Sequence, residues 1–159
     1  MSRYDELRVF YGRSPDERMV ILEQEMRAPL EAACRIAADL GTVDPSTAPA
    51  LFGGRFDELI EILAISAAKL ADVAAQAPAV CARGQERGGL RDEEVHVFRH
   101  DLLTPIGTVR GVAGMLAKCD PDTAPDLPPD FVAKAQALAE AINELKDVLD
   151  ALTDARGRA

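Results

Sequence analysis

The chain has 159 residues, enough for one hydrophobic core of ordinary size. Its formal net charge of −9 disfavours a general nucleic-acid binder or a protein of anionic membrane surfaces, since both partners attract basic patches. Apolar residues make up 48% while aromatics reach only 4% with no Trp, so the core must be built from Ala, Leu, Ile and Val, which favours close-packed helices over sheet.

The first thirteen residues, with Tyr4, Leu7, Phe10 and Tyr11, admit a short extra helix and are set apart as an N-terminal extension (1–13). Ser14-Pro15-Asp16-Glu17 then offers a Ser N-cap, Pro at the first helical position and Glu at the third. Met19, Leu22, Met26, Leu30, Ala33, Ala37 and Leu40 follow at helical spacing until Gly41. Residues 42–51, with Pro45 and Pro49, read as a loop. A second helix is expected from about 53 to 77, with Phe56, Leu59, Ile60, Leu63, Ala67, Leu70 and Ala74 on one face. Residues 78–89 hold one Pro, three Gly and two Arg and read as a connector, with 81–89 joining the two hairpins. A third helix is expected from about 90 to 118, a loop rich in proline at 120–128, and a last helix from about 129 to 155.

Two halves of the chain correspond. An offset of 76 residues carries Gln24 onto His100, Pro29 onto Pro105, Leu40 onto Leu116, Asp44-Pro45 onto Asp120-Pro121 and Thr47-Ala48-Pro49 onto Thr123-Ala124-Pro125. After one deleted residue an offset of 75 carries Phe56 onto Phe131, Leu63 onto Leu138, Leu70 onto Leu145 and Asp72-Val73 onto Asp147-Val148. Amphipathic helices align by periodicity alone, but loops do not, so the matching loops point to a duplicated helical hairpin. The expected fold is all-α: an antiparallel four-helix bundle of two hairpins, 14–80 and 90–156, related by a pseudo-two-fold axis. A connector of about ten residues reaches up to ~33 Å, ample to set the hairpins side by side.

Chemistry concentrates at His100-Asp101-Leu102-Leu103-Thr104-Pro105-Ile106. At ~100° per residue, His100 falls opposite the stripe of Phe98, Leu102, Ile106, Val109 and Leu116 and therefore faces solvent. Asp101 can take a proton from the ring or hold one tautomer, leaving the other nitrogen as a nucleophile. Thr104 lies one turn on. Pro105 cannot donate to the carbonyl of Asp101, so a bend is expected beside the histidine. The first copy carries Gln24 at this position, and an amide cannot carry chemistry on a ring nitrogen.

This box, with the following Gly111 and Met115-Leu116, resembles the phosphoacceptor box of the dimerisation and histidine phosphotransfer domain of sensor histidine kinases. Residues 142–153 are similar to the second helix of that hairpin. That family builds a four-helix bundle from two identical hairpins; here both would lie in one chain, as a monomer with an intrachain pseudo-dimer. The resemblance implies His100 as the phosphorylated residue, Asp101 as the acidic neighbour assisting transfer and Thr104 as the position tuning transfer or dephosphorylation. Leu103 stands where the family usually has Arg, which Arg27 keeps in the first copy. Only 156–159 remain where the family's ATP-binding domain would begin, so ATP-dependent autophosphorylation by this chain alone is not expected.

The function expected is therefore a cytoplasmic phosphotransfer protein. It would exchange a phosphoryl group on His100 with response-regulator receivers or a kinase in trans, with no cofactor of its own because the receiver brings the magnesium ion. The alternative is a non-enzymatic, kinase-derived bundle that binds receivers or kinases as scaffold or inhibitor; an unrelated helical interaction module is a third reading. Cys34, Cys81 and Cys119 form no Cys-x-x-Cys pair and fit reduced thiols. Glu93, His96 and His100 have spacings that suit a metal, but the box accounts for His100 better, so no metal site is expected. Gly107 and Gly111 are assigned to close helix packing. No segment approaches the ~20 apolar residues of a membrane span.

Overall fold

The computed structural model describes residues 2–120 and 122–157, and helix is the only regular structure among them. The elements are α1 (Arg3–Arg8), α2 (Pro15–Gly41), α3 (Phe56–Ala74), α4 (Ala77–Glu86), α5 (Asp92–Leu116) and α6 (Phe131–Thr153), with two 3-10 turns at Pro45–Thr47 and Leu51–Gly54. The expected extra N-terminal helix is present as α1, opened by a capping box between Ser2 and Asp5. Helix α2 begins as anticipated, the Ser14 hydroxyl accepting from the Glu17 N–H at 3.2 Å.

Helices α2 and α5 each pack against both α3 and α6, and meet one another only marginally. Residue pairs show which helix ends coincide. Arg18, near the start of α2, donates to the Leu152 carbonyl near the end of α6 at 3.0 Å and to Asp92 at the start of α5 at 2.7 Å. At the other end, Phe56 opens α3 and Phe131 opens α6, and their rings lie 5.8 Å apart. Between these ends Met19, Leu22, Leu63, Leu102, Ile106, Leu138, Ile142 and Leu149 are fully buried. Burying one such side chain contributes roughly 1.5–3 kcal/mol, so the bundle rests on this seam.

The two interhelical loops are built alike. Asp44 accepts from Ser46 N–H at 2.9 Å, and its carbonyl takes the Thr47 hydroxyl at 2.8 Å. Asp120 accepts from Asp122 N–H at 2.9 Å, and its carbonyl takes the Thr123 hydroxyl at 2.9 Å. Ala48 and Ala124 are buried behind them. Pro121 of the second loop lies outside the described residues.

Three expectations need correction. The segment 78–89 is not a plain connector, because residues 77–86 form α4. Pro78 sits in its first turn, where no N–H is needed, and Ala77, Val80 and Gly84 form its buried face. Beyond α4 only Arg87, Gly88 and Gly89 of this segment are non-helical, the two glycines at φ +86° and +143°. The second helix starts at Phe56 rather than 53, since Gly53 and Gly54 take positive φ in the preceding turn. Gly107 and Gly111 do not mediate close packing: both are exposed, and a Cβ on either would meet nothing within 4 Å.

Candidate functional site

The start of α5 is firmly held. Asp92, Glu93 and Glu94 lie in its first turn, where acidic groups complement the helix dipole. Glu94 accepts from the Arg91 N–H at 3.2 Å and from the Arg87 guanidinium, and these bonds, Arg87 first, hold its carboxyl below the ordinary range. The apolar face of Val95, Phe98, Leu102, Ile106 and Val109 is buried. That face fixes the rotation of the helix, and it turns His100, Asp101 and Thr104 outward.

His100 has 83% of its side chain exposed, as its position off the apolar stripe requires. Asp101 is half-exposed at 51%, with Oδ1 3.7 Å from the His100 Nδ1. That is too long for a hydrogen bond; were the two to close, the carboxylate would accept from Nδ1–H and leave the Nε2 lone pair free. Helix α5 runs unbroken through Pro105, which is buried, and the Thr108 hydroxyl donates to the Thr104 carbonyl at 3.2 Å. Behind the imidazole, Arg99 donates to Thr153 at 3.1 Å and lies 2.8 Å from Asp150 and 3.6 Å from Asp154. The residue before His100 is thereby tied to the last turn of α6.

All three sequence-derived residues line one groove of about 420 Å³ between α5 and α3. Its opposite wall supplies Ile65 and Lys69 of α3 and Gln76 between α3 and α4, which sequence reasoning missed. Ile65 left a signal: it falls off the buried stripe of its own helix, and it is 62% exposed. Val97 left the same signal on α5, is 60% exposed, and lines an adjoining groove of about 230 Å³ with Val80 and Arg83. Asp101 and Gln76 border both grooves, so the two form one continuous surface past the histidine. Isolated exposed apolar residues are common, but two flanking one imidazole across adjoining grooves suit a partner surface.

Glu93, His96 and His100 are all exposed, and among the described residues no group of three or more His, Cys, Asp or Glu side chains converges as a metal site would require. Gln24 is exposed on α2, as His100 is on α5. The cysteines are free thiols, with Cys119 buried and Cys34 and Cys81 half-buried. No described helix is long and apolar enough to cross a membrane. Comparisons with family models, with curated proteins and with solved structures returned no match.

Proposed function

We propose that this chain is a histidine-containing phosphotransfer protein of two-component signalling, working in the cytoplasm with His100 as phosphoacceptor. Its bundle is read as two antiparallel hairpins, α2–α3 and α5–α6, related by a pseudo-two-fold axis. The like-built Asp44 and Asp120 loops and the pairing of Phe56 with Phe131 support that reading. The observation that carries the function is an 83% exposed imidazole on a pinned helix, with a carboxylate beside it and a groove alongside.

In the transfer, Nε2 of His100 attacks the phosphorus of an aspartyl phosphate on a receiver. The N–P bond forms as the bond from phosphorus to the aspartyl oxygen breaks, and the receiver's carboxylate leaves with the electron pair. The Nδ1 proton of the resulting imidazolium passes toward Asp101, leaving a neutral phosphorylated ring. The reverse sequence hands the group to a second receiver; a kinase acting in trans would load the same nitrogen. Thr104, one turn on, is placed to tune attack on the phosphorylated ring.

A second reading is favoured by Ile65 and Val97 and by the exposed Gln24: a bundle that binds receivers or kinases without accepting phosphate. One experiment separates the two. Wild type and His100→Ala are offered labelled phospho-receivers and an active kinase with labelled ATP. Acid-labile, base-stable label on wild type alone is expected; tight binding with no label from any partner would leave only the scaffold reading.

A further inference from the structure

We propose that α1 is a plug in cis, filling on the α2/α6 face the seat that stands open beside His100 on the α3/α5 face, so that the chain docks one receiver at a time. This rests on the phosphotransfer reading of His100 and on the hairpin repeat. The repeat offsets carry three residues on the Asp101 side of the open seat onto residues that are paired with α1 or more deeply buried, while Ile65 and Lys69 map onto the exposed Glu140 and Glu144. Asp101, half-exposed, corresponds to Glu25, which the Arg3 guanidinium of α1 binds. Val97, 60% exposed, corresponds to Ile21, which is half-buried against the core. Gln76, exposed in both grooves, corresponds to Ala151, which is fully buried.

Helix α1 is held there by two kinds of contact. Its Tyr4 and Leu7 are buried, and the helix packs on α6. Arg8 donates to the carbonyls of Asp150, Ala151 and Asp154 at 3.4, 3.1 and 2.8 Å. Those carbonyls belong to the last turn and cap of α6, where the helical ladder runs out; Asp150 also accepts from the Asp154 N–H at 3.0 Å. Six residues are too few to hold a helix in water without packing, so α1 depends on the bundle, to whose core it adds only Tyr4 and Leu7. Gln24 stands exposed beside the covered rim, so that face would bind without accepting phosphate.

The test is the stoichiometry of binding in the full chain. Wild type, Leu7→Asp and the double variant Arg3→Glu/Arg8→Glu are titrated with a panel of beryllofluoride-activated receiver domains from the encoding genome. Circular dichroism monitors the bundle, and the charge variant leaves the buried side chains intact. Wild type is expected to bind one receiver and both variants two, while the label on His100 stays at one phosphoryl per chain. One receiver bound by all three proteins, or two by wild type, overturns the plug and leaves the phosphotransfer reading standing. If no receiver binds wild type, the phosphotransfer reading falls and the plug with it.

Discussion

Arg99 on α5 and Asp150 on α6 meet at 2.8 Å, with both side chains largely withdrawn from solvent, one residue away from an imidazole that is almost entirely exposed. The contrast is geometric: the backbone at His100 is held from behind while the ring stands exposed at the front. Lys146 adds a second cation to Asp150 at 2.7 Å. Removing the carboxylate leaves Arg99 with its main counter-charge gone. Breaking a buried pair in this way costs about 3–5 kcal/mol, and for a chain of this size each kcal/mol lowers Tm by about 2–4 °C. Asp150→Ala is therefore expected to melt at least ~6 °C below wild type by calorimetry; an unchanged Tm would mean the pair does not hold α5 to α6.

Glycine substitutions should split by sign. At Gly107 and Gly111 a Cβ meets nothing, and the positions are exposed in a helix interior, so Gly→Ala should stabilise by about 0.5–1 kcal/mol each. At Gly84 a Cβ would lie 2.4 Å from Leu90 Cγ, and Gly84→Ala should destabilise by about 1–3 kcal/mol as α4 is pushed from its seat. Urea unfolding of the three variants reads both signs, and a stabilising Gly84→Ala would contradict the packing of α4.

Burial raises the pKa of all three thiols, at Cys81 with help from Glu23 and Asp16. A raised folded-state pKa favours the neutral thiol, so this contribution is complete below the unfolded thiol's ordinary pKa of ~8.5. Above it the unfolded chain loses protons first, and stability falls as pH rises through the folded values. The urea midpoint of wild type should drop between neutral pH and mildly alkaline pH by more than that of a Cys34→Ala/Cys81→Ala/Cys119→Ala variant. Parallel curves would remove the thiols from the account.

Asp101 tests the proposed phosphotransfer chemistry without touching His100. Asp101→Asn keeps the shape but cannot take the Nδ1 proton, and a positioned general base contributes roughly 10²-fold or more. Label uptake by His100 is expected to slow at least ~10-fold while receiver affinity is retained. Equal rates would assign Asp101 to the surface alone.

The intrachain bundle predicts a monomer of 17.1 kDa in solution, with all four long helices closing on one core. Light scattering coupled to size exclusion should report that mass across concentration. An obligate dimer formed by exchanged hairpins would replace the single-chain arrangement.

The sequence by itself determined the four long helices, their buried stripes, and the outward rotation of His100. These follow from periodicity, because a helix must turn its apolar residues inward wherever the core lies. The cap at Ser14 was legible for the same local reason. The sequence misassigned α4 because three glycines and a proline outweighed a buried face that only docking on α2 makes worthwhile. It assigned Gly107 and Gly111 to packing, although their side of α5 has no neighbour. Only the tertiary structure decided that Ile65, Lys69 and Gln76 stand across the groove from His100. It alone set Arg99 against Asp150, and α1 across the end of α6. These are contacts between elements far apart in the chain, and no local spacing rule encodes which faces two helices bring together.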